Sequence, residues 1–224
     1  MGPSENYYGL PFSRLYGYKE SKEVQKGSKV FVKNKYEIYN GSISIPSYVC
    51  DYAKKNEKGE IKDFDEISQE AIGSKLGVLR MDVDDLGKIF SIGLEKGRGT
   101  FSRVASLSRL LNHFFKNCLR MIVEGKLSEH LPADIPRLSV ERGEREVVVV
   151  YSGGDDLFIV GAWNHVFEIA FEIEALFRRY VGENPNITIS AGYAIFDPKY
   201  PLYRMAEVTG NREEEAKEEG EVVN

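Results

Sequence analysis

The chain has 224 residues, enough for one large domain or for one medium domain with a smaller companion, and either would bury a proper core. A formal net charge of -5 and a sequence pI near 5.4 argue against a broad basic face that holds duplex nucleic acid, because neutralising phosphates needs clustered Lys and Arg. No apolar run approaches the roughly 20 residues of a membrane span, and the N-terminus lacks a charged-then-apolar leader, so a soluble cytoplasmic protein with no membrane partner is expected.

Residues 1–74 are rich in Tyr, Lys, Gly and Ser, with only short apolar stretches, and read as a separate, small and partly irregular domain or linker segment. Within it Val30–Val32 and Tyr36–Tyr39 have strand composition, and Asn40-Gly41 before Ser42-Ile43-Ser44-Ile45 predicts a two-residue hairpin turn. Cys50 and Cys118 lie far apart and outside any C-x-x-C pattern, which supports neither a disulfide framework nor a zinc site. The polar stretch Lys54–Ser68 predicts a loop and a short helix.

From Leu76 the signals sharpen. Leu76–Met81 is a short apolar run that ends in Asp82-Val83-Asp84-Asp85, the pattern of a buried central strand with carboxylates at its C-terminal end. Phe101, Val104, Leu107 or Ser108, Leu111, Phe114 or Phe115, Cys118 and Ile122 recur at spacings of three and four and predict an amphipathic helix over 101–123. Glu146–Tyr151, the turn Ser152-Gly153-Gly154-Asp155-Asp156 and Leu157–Val160 predict a hairpin. Asn164 is placed to cap a helix that runs to about Val181, and Ile187–Phe196 reads as a last strand. The order β-α-α-β-β-α-β defines an α+β, ferredoxin-like palm over 75–208, with helices expected on one face of the sheet and an acidic tail over 209–224. Such a sheet sets its first strand beside its third, which brings Asp82 next to the turn that carries Asp155 and Asp156.

Transfer of a nucleotidyl group needs a hydroxyl to attack an α-phosphate while pyrophosphate leaves, and the developing charge is met by positioning and by divalent ions. Magnesium and manganese prefer hard oxygen ligands. Asp82, Asp155 and Asp156, with the carbonyl of Val83, offer such a set for Mg²⁺ or Mn²⁺. Asp84, Asp85, Leu86 and Gly87 after the first strand, and Ser152, Gly153 and Gly154 in the turn, are candidate nucleotide-binding residues, because a backbone poor in side chains lets phosphates approach amide N–H groups. Lys88 could add a point charge. His113, His130 and His165 have no ligand spacing and read as structural or solvent-facing, Trp163 as a packed core-edge residue, and Lys33, Lys35, Lys54 and Lys55 as solvated surface.

Three segments then carry a family resemblance: Tyr151-Ser152-Gly153-Gly154-Asp155-Asp156-Leu157-Phe158, Leu76 to Gly87, and the helix 102–115 with its Ser-Arg-Leu-Leu core. From about Asp63 to Met205 the chain resembles the large subunit of type III CRISPR effector complexes, the CRISPR polymerase, in its type III-A (Csm) form. The resemblance implies that ATP is the substrate and that cyclic oligoadenylate second messengers are made when the complex holds target RNA. It implies Asp155 and Asp156 as the metal-binding pair and Asp82 as the first-strand ligand. Implied partners are the other subunits of the complex with guide RNA and target RNA, and the first palm domain of the same full-length subunit. That subunit also carries an HD nuclease domain and a C-terminal helical domain, so the chain resembles a fragment containing the second palm. Two other readings stay open. A diguanylate cyclase shares the palm layout, although its hairpin normally reads Gly-Gly-Asp/Glu-Glu-Phe where Leu157 follows two aspartates here. A non-catalytic structural palm would dock other subunits and RNA.

Overall fold

The computed structural model describes residues 6–9, 15–18, 29–33, 43–47, 50–91, 101–138 and 143–222. The chain divides into two compact units, Met1–Ser47 and Tyr48–Asn224. The division therefore falls earlier than the composition change near residue 74. Residues 50–74, read from composition with the N-terminal segment, pack in the second unit.

In the first unit β1 (Asn6–Gly9) pairs antiparallel with β2 (Leu15–Tyr18), and β3 (Lys29–Lys33) pairs in parallel with β4 (Ile43–Ser47), Lys29 opposite Ile43. The strand expected at 30–32 is thus present, as is that expected at 42–45 over its described residues 43–45. The expected Tyr36–Tyr39 strand and Asn40-Gly41 turn lie outside the described residues.

The second unit is built on a four-stranded antiparallel sheet of β5 (Leu76–Val83), β6 (Val147–Gly153), β7 (Asp156–Ala162) and β8 (Ile189–Phe196), in the order β6-β7-β5-β8. The first of these strands lies beside the third, as the ferredoxin-like order requires. Strand β5 is buried on both sides, and this is why it reads as a nearly unbroken apolar run. Its alternate residues split between two cores. Leu79, Met81 and Val83 join Val147, Val149, Leu157 and Ile159 on one face, against α5 (Trp163–Tyr180). Leu76 and Val78 join Val160, Ala162, Ile67 and Met205 on the other.

Helices therefore cover both faces, a correction to the expectation of one. Ile67 belongs to α1 (Phe64–Gln69), opened by a capping box in which the Asp63 carboxylate accepts from the Glu66 N–H and the Glu66 side chain accepts from the Asp63 N–H. Met205 belongs to α6 (Leu202–Val222), a 21-residue helix that takes in residues 209–222, which composition marks as a charged tail. It lies directly on β8: a Cβ added at Gly192 would stand 2.0 Å from the Thr209 carbonyl oxygen, so only glycine permits this approach.

The helix expected over 101–123 is present as α3 (Phe101–His113) and α4 (Leu119–Val123), joined by one π-helical turn, Phe114–Cys118, after the short α2 (Leu86–Ser91). The wider turn brings both Phe114 and Phe115 into the core, where Phe114 stands edge-on to Phe177 with ring centroids 5.1 Å apart. Phe101, by contrast, is exposed. In α5 Val166, Ile169, Ile173 and Phe177 form the buried stripe, each contributing about 1.5–3 kcal/mol by burial. The helix starts two residues earlier than expected, so Ala162 occupies the capping position and Asn164 lies inside the first turn. On the β6 edge, residues 52–54 run alongside the strand: the Lys54 N–H donates to Val147 and the Val149 N–H to Tyr52.

One charged cluster is buried under this layer. Arg145 pairs with Glu168 at 2.6 Å and with Glu172, all three buried. His165 accepts from the Glu146 N–H through Nδ1 at 3.1 Å, and burial, followed by the nearby Arg145 charge, holds its pKa below the ordinary 6.5. Removing one partner of such a buried pair leaves an uncompensated charge, so Arg145→Ala is expected to cost about 3–5 kcal/mol in urea unfolding. For His165 the unfolded chain takes up a proton near pH 6.5 while the folded chain resists it. Stability present above that pH is therefore lost as pH falls toward the lowered folded value. His165→Asn, which keeps an acceptor for the Glu146 N–H, should flatten that part of a plot of Tm against pH.

Candidate active site

Asp82 is the last residue but one of β5, and pairing sets it directly opposite Asp156 on β7 and Ser190 on β8. Directly opposed residues in an antiparallel pair have Cα atoms about 4.5–5.5 Å apart, so residues 74 positions apart in sequence become immediate neighbours. The hairpin between β6 and β7 closes with Gly153 opposite Asp156 and only Gly154 and Asp155 in the loop. Gly154 has φ +69° while Asp155 does not share the positive sign, the φ pattern of a type II′ turn that glycine favours at its first central position. The turn is tied to the end of β5 by a hydrogen bond from the Val83 N–H to the Asp155 carbonyl at 3.1 Å.

The structure thus brings Asp82, Asp155 and Asp156 together at one end of the sheet. Their electrostatics agree: burial first, then the charges of Asp82 and Asp156, push the Asp155 carboxyl above its ordinary value, while Lys217 opposes the shift. Lys217 was not among the residues the sequence pointed to. It stands in α6, ion-paired with Asp82 and, at 2.8 Å, with Glu213, whose other contact is Arg80 of β5 at 3.0 Å. The signal for it was present as the i, i+4 series Met205, Thr209, Glu213, Lys217, in which the first three are buried. Lys88, the cation suggested from sequence, pairs instead with Asp85 at 2.7 Å, and both are well exposed.

The other candidates are distributed around this cluster. Asp84 turns toward the edge strand side: its N–H donates to the Thr188 carbonyl and its carboxylate accepts from the Thr188 hydroxyl at 2.7 Å. Asp85 has φ +52° and its carbonyl accepts from the Ile89 N–H as α2 begins. Leu86 packs on the core, and the space over Gly87 is open, with no atom within 4 Å of an added Cβ. Val83 has its side chain buried. Ser152 points through the sheet to the helical side, where its hydroxyl donates to the Phe115 carbonyl, so its side chain stands away from the carboxylates.

The donor set suits a hard divalent cation: three carboxylates, a main-chain carbonyl nearby, and a positive charge already drawn onto Asp82. Among the described residues no three of these side chains converge on a common point, so holding an ion requires them to turn inward and Lys217 to give way.

Residues 75–222 match the family model described as Cas10/Cmr2, second palm domain. The chain belongs to this family. Among curated relatives it is 40% identical over 198 residues to a CRISPR system single-strand-specific deoxyribonuclease Cas10/Csm1 (subtype III-A) of Thermococcus onnurineus, covering 87% of this chain and 24% of that protein. It is 35% identical over 191 residues to the same-named protein of Mycobacterium tuberculosis, covering 84% and 22%. The palm chain thus spans about a quarter of the length of the curated relatives it matches. Among solved structures it is similar to a Csm1-Csm4 cassette in complex with cA4 (TM-score 0.75, 40% identity, covering 86% of this chain and 27% of the other) and to one in complex with one ATP (TM-score 0.77, 38% identity, covering 95% and 29%).

Lys217→Met removes the cation nearest the palm's carboxylates. The metal-free chain should lose roughly 1 kcal/mol or less, the range for a partly exposed pair, and an NMR titration should find the Asp155 carboxyl raised further.

Proposed function

We propose that this chain is a metal-dependent nucleotidyltransferase palm, spanning about 75–208, that binds ATP and joins adenylates into cyclic oligoadenylates within a cytoplasmic type III-A CRISPR complex. The carrying observation is the pairing that sets Asp82 opposite Asp156 with Asp155 in the adjoining turn. Membership of the second-palm family and likeness to cassettes that hold ATP and cA4 support the substrate and the product class.

In this reading Asp82, Asp155 and Asp156, with the Val83 carbonyl, hold Mg²⁺ or Mn²⁺. Bound there, such ions supply charge to the attacking and leaving oxygens of an in-line displacement. The chain's own residues do the rest. The backbone of Gly153 and Gly154 and the open surface over Gly87 admit the triphosphate, Asp84 and Asp85 shape the end of β5, and Leu86 anchors α2 to the core. Lys217, which pairs with Asp82 in this structure, would instead pair with a phosphate oxygen if Asp82 held an ion. A hydroxyl of one adenylate attacks the α-phosphate of the next ATP and forms a P–O ester bond as the α–β phosphoanhydride bond breaks; pyrophosphate leaves with that bond's electron pair, and the hydroxyl proton passes to solvent. The first palm domain of the same full-length subunit would present the second nucleotide. The other subunits, guide RNA and target RNA are proposed as partners of that assembly, and the likeness to a Csm1-Csm4 subcomplex supports a docking role for the palm.

A second reading, a palm that only docks its partners, is favoured by one feature: Lys217 already neutralises Asp82 in a site with no preformed ion cage among the described residues. Calorimetric titration of ATP with Mn²⁺ separates the two. The catalytic reading expects binding that weakens at least about tenfold in Asp82→Ala. No binding by the wild type, or equal binding by the variant, leaves the docking role.

A further inference from the structure

The C-terminal end of β5 is held from two sides. Its last paired residue, Val83, stands opposite Ile189 of β8, and the next N–H, that of Asp84, donates to the Thr188 carbonyl at 3.0 Å. The Val83 N–H points the other way, to the Asp155 carbonyl at 3.1 Å. The N–H and C=O of one trans peptide point in opposite directions, so the bond from Asp84 to the β8 side turns the Val83 carbonyl toward the β7 side, where Asp155 and Asp156 stand. A second bond fastens the same spot: the Thr188 hydroxyl donates to one oxygen of the Asp84 carboxylate at 2.7 Å. Among the described residues the other oxygen of that carboxylate is buried and accepts no hydrogen bond. The hydroxyl thus holds Asp84 on the opposite side of β5 from Asp155 and Asp156. Thr188 itself is exposed, so core packing does not explain its side chain.

We propose that Thr188 is a positioning residue: by fastening Asp84 to the β8 side it keeps the Val83 carbonyl turned toward Asp155 and Asp156, in the orientation that a divalent cation shared with Asp82 requires. The inference rests on the reading that these three aspartates and that carbonyl hold such a cation. A carboxylate with one oxygen buried and unpaired is driven toward water or toward a cation. Released from the hydroxyl, Asp84 follows that drive, and either movement rotates the peptide between residues 83 and 84 and takes the Val83 carbonyl with it. The main-chain bond to Thr188 resists this weakly by itself, because it closes the last rung of the ladder, where strands fray. Hydrogen-bond partners orient metal-ligating groups in this way generally, and their loss costs about 10–100-fold in metal affinity.

The test is Mn²⁺ binding to the full chain without nucleotide, by electron paramagnetic resonance, on the wild type, Thr188→Val, Thr188→Ser, Asp84→Ala, the double variant Thr188→Val with Asp84→Ala, and Asp82→Asn, with Tm measured on each. Thr188→Val keeps the shape and the main chain and should bind Mn²⁺ about tenfold more weakly, with Tm little changed because the side chain is exposed. Thr188→Ser, which keeps the hydroxyl, should bind as the wild type does. The double variant should bind no more weakly than Asp84→Ala, since one hydrogen bond carries the effect of both residues. Affinity in Thr188→Val equal to or above that of the wild type overturns the proposal, as does a loss that Thr188→Ser fails to restore. Additive losses in the double variant count against it in the same way, and a fall in Tm matching the fall in affinity makes the role structural and ends it. If the wild type binds no Mn²⁺, or Asp82→Asn binds it equally well, the metal site itself is wrong and the proposal falls with it. Wild-type binding that Asp82→Asn abolishes and Thr188→Val leaves intact removes the proposal alone.

Discussion

Asp82 and Asp156 stand directly opposite one another on adjacent strands, with Asp155 in the turn beside them. Like charges set on adjoining strands repel, and they do so more strongly where burial keeps water away. The fold accepts this because the register that opposes them also aligns the apolar residues of β5 with both cores. A slip of one residue would carry Leu79 and Met81 out of one core and Leu76 and Val78 out of the other. Burial of the strand thus enforces the crowding at its end, and the crowding creates the demand for a cation.

Within the chain that demand is met by Lys217, carried on a helix that closes the second face of the sheet. Helix α6 reaches the site because Gly192 lets it lie against β8 and because Arg80, Glu213, Lys217 and Asp82 form a continuous series of ion pairs from mid-strand to strand end. The stretch that composition marks as an acidic tail is therefore joined to the carboxylate cluster.

Two backbone irregularities aim the side chains. The π-helical turn at Phe114–Cys118 puts consecutive phenylalanines into the core and its Phe115 carbonyl over Ser152, which holds that hydroxyl on the helical side. A bulge in β6 between Val149 and Tyr151 does the reverse for Tyr151 and delivers it to the carboxylate face. The two devices act on neighbouring residues of one strand and settle which of them faces the carboxylates.

Much of the palm was legible from residue pattern, because strands and helices carry local periodicities. The mostly apolar run before Asp82, the Gly-Gly-Asp-Asp turn and the three-and-four spacing of α5 each follow from one chain segment and its burial. The strand order then implied that Asp82 and the Asp155–Asp156 pair would meet. Tertiary structure alone decided what depends on contacts between distant segments: the second helical face, the boundary at Ser47, the engagement of Lys217 rather than Lys88, and the opposite orientations of Tyr151 and Ser152. Local pattern fixes which face a residue prefers, but a bulge, a π turn or a helix returning from the end of the chain reassigns that face through packing that no single segment encodes.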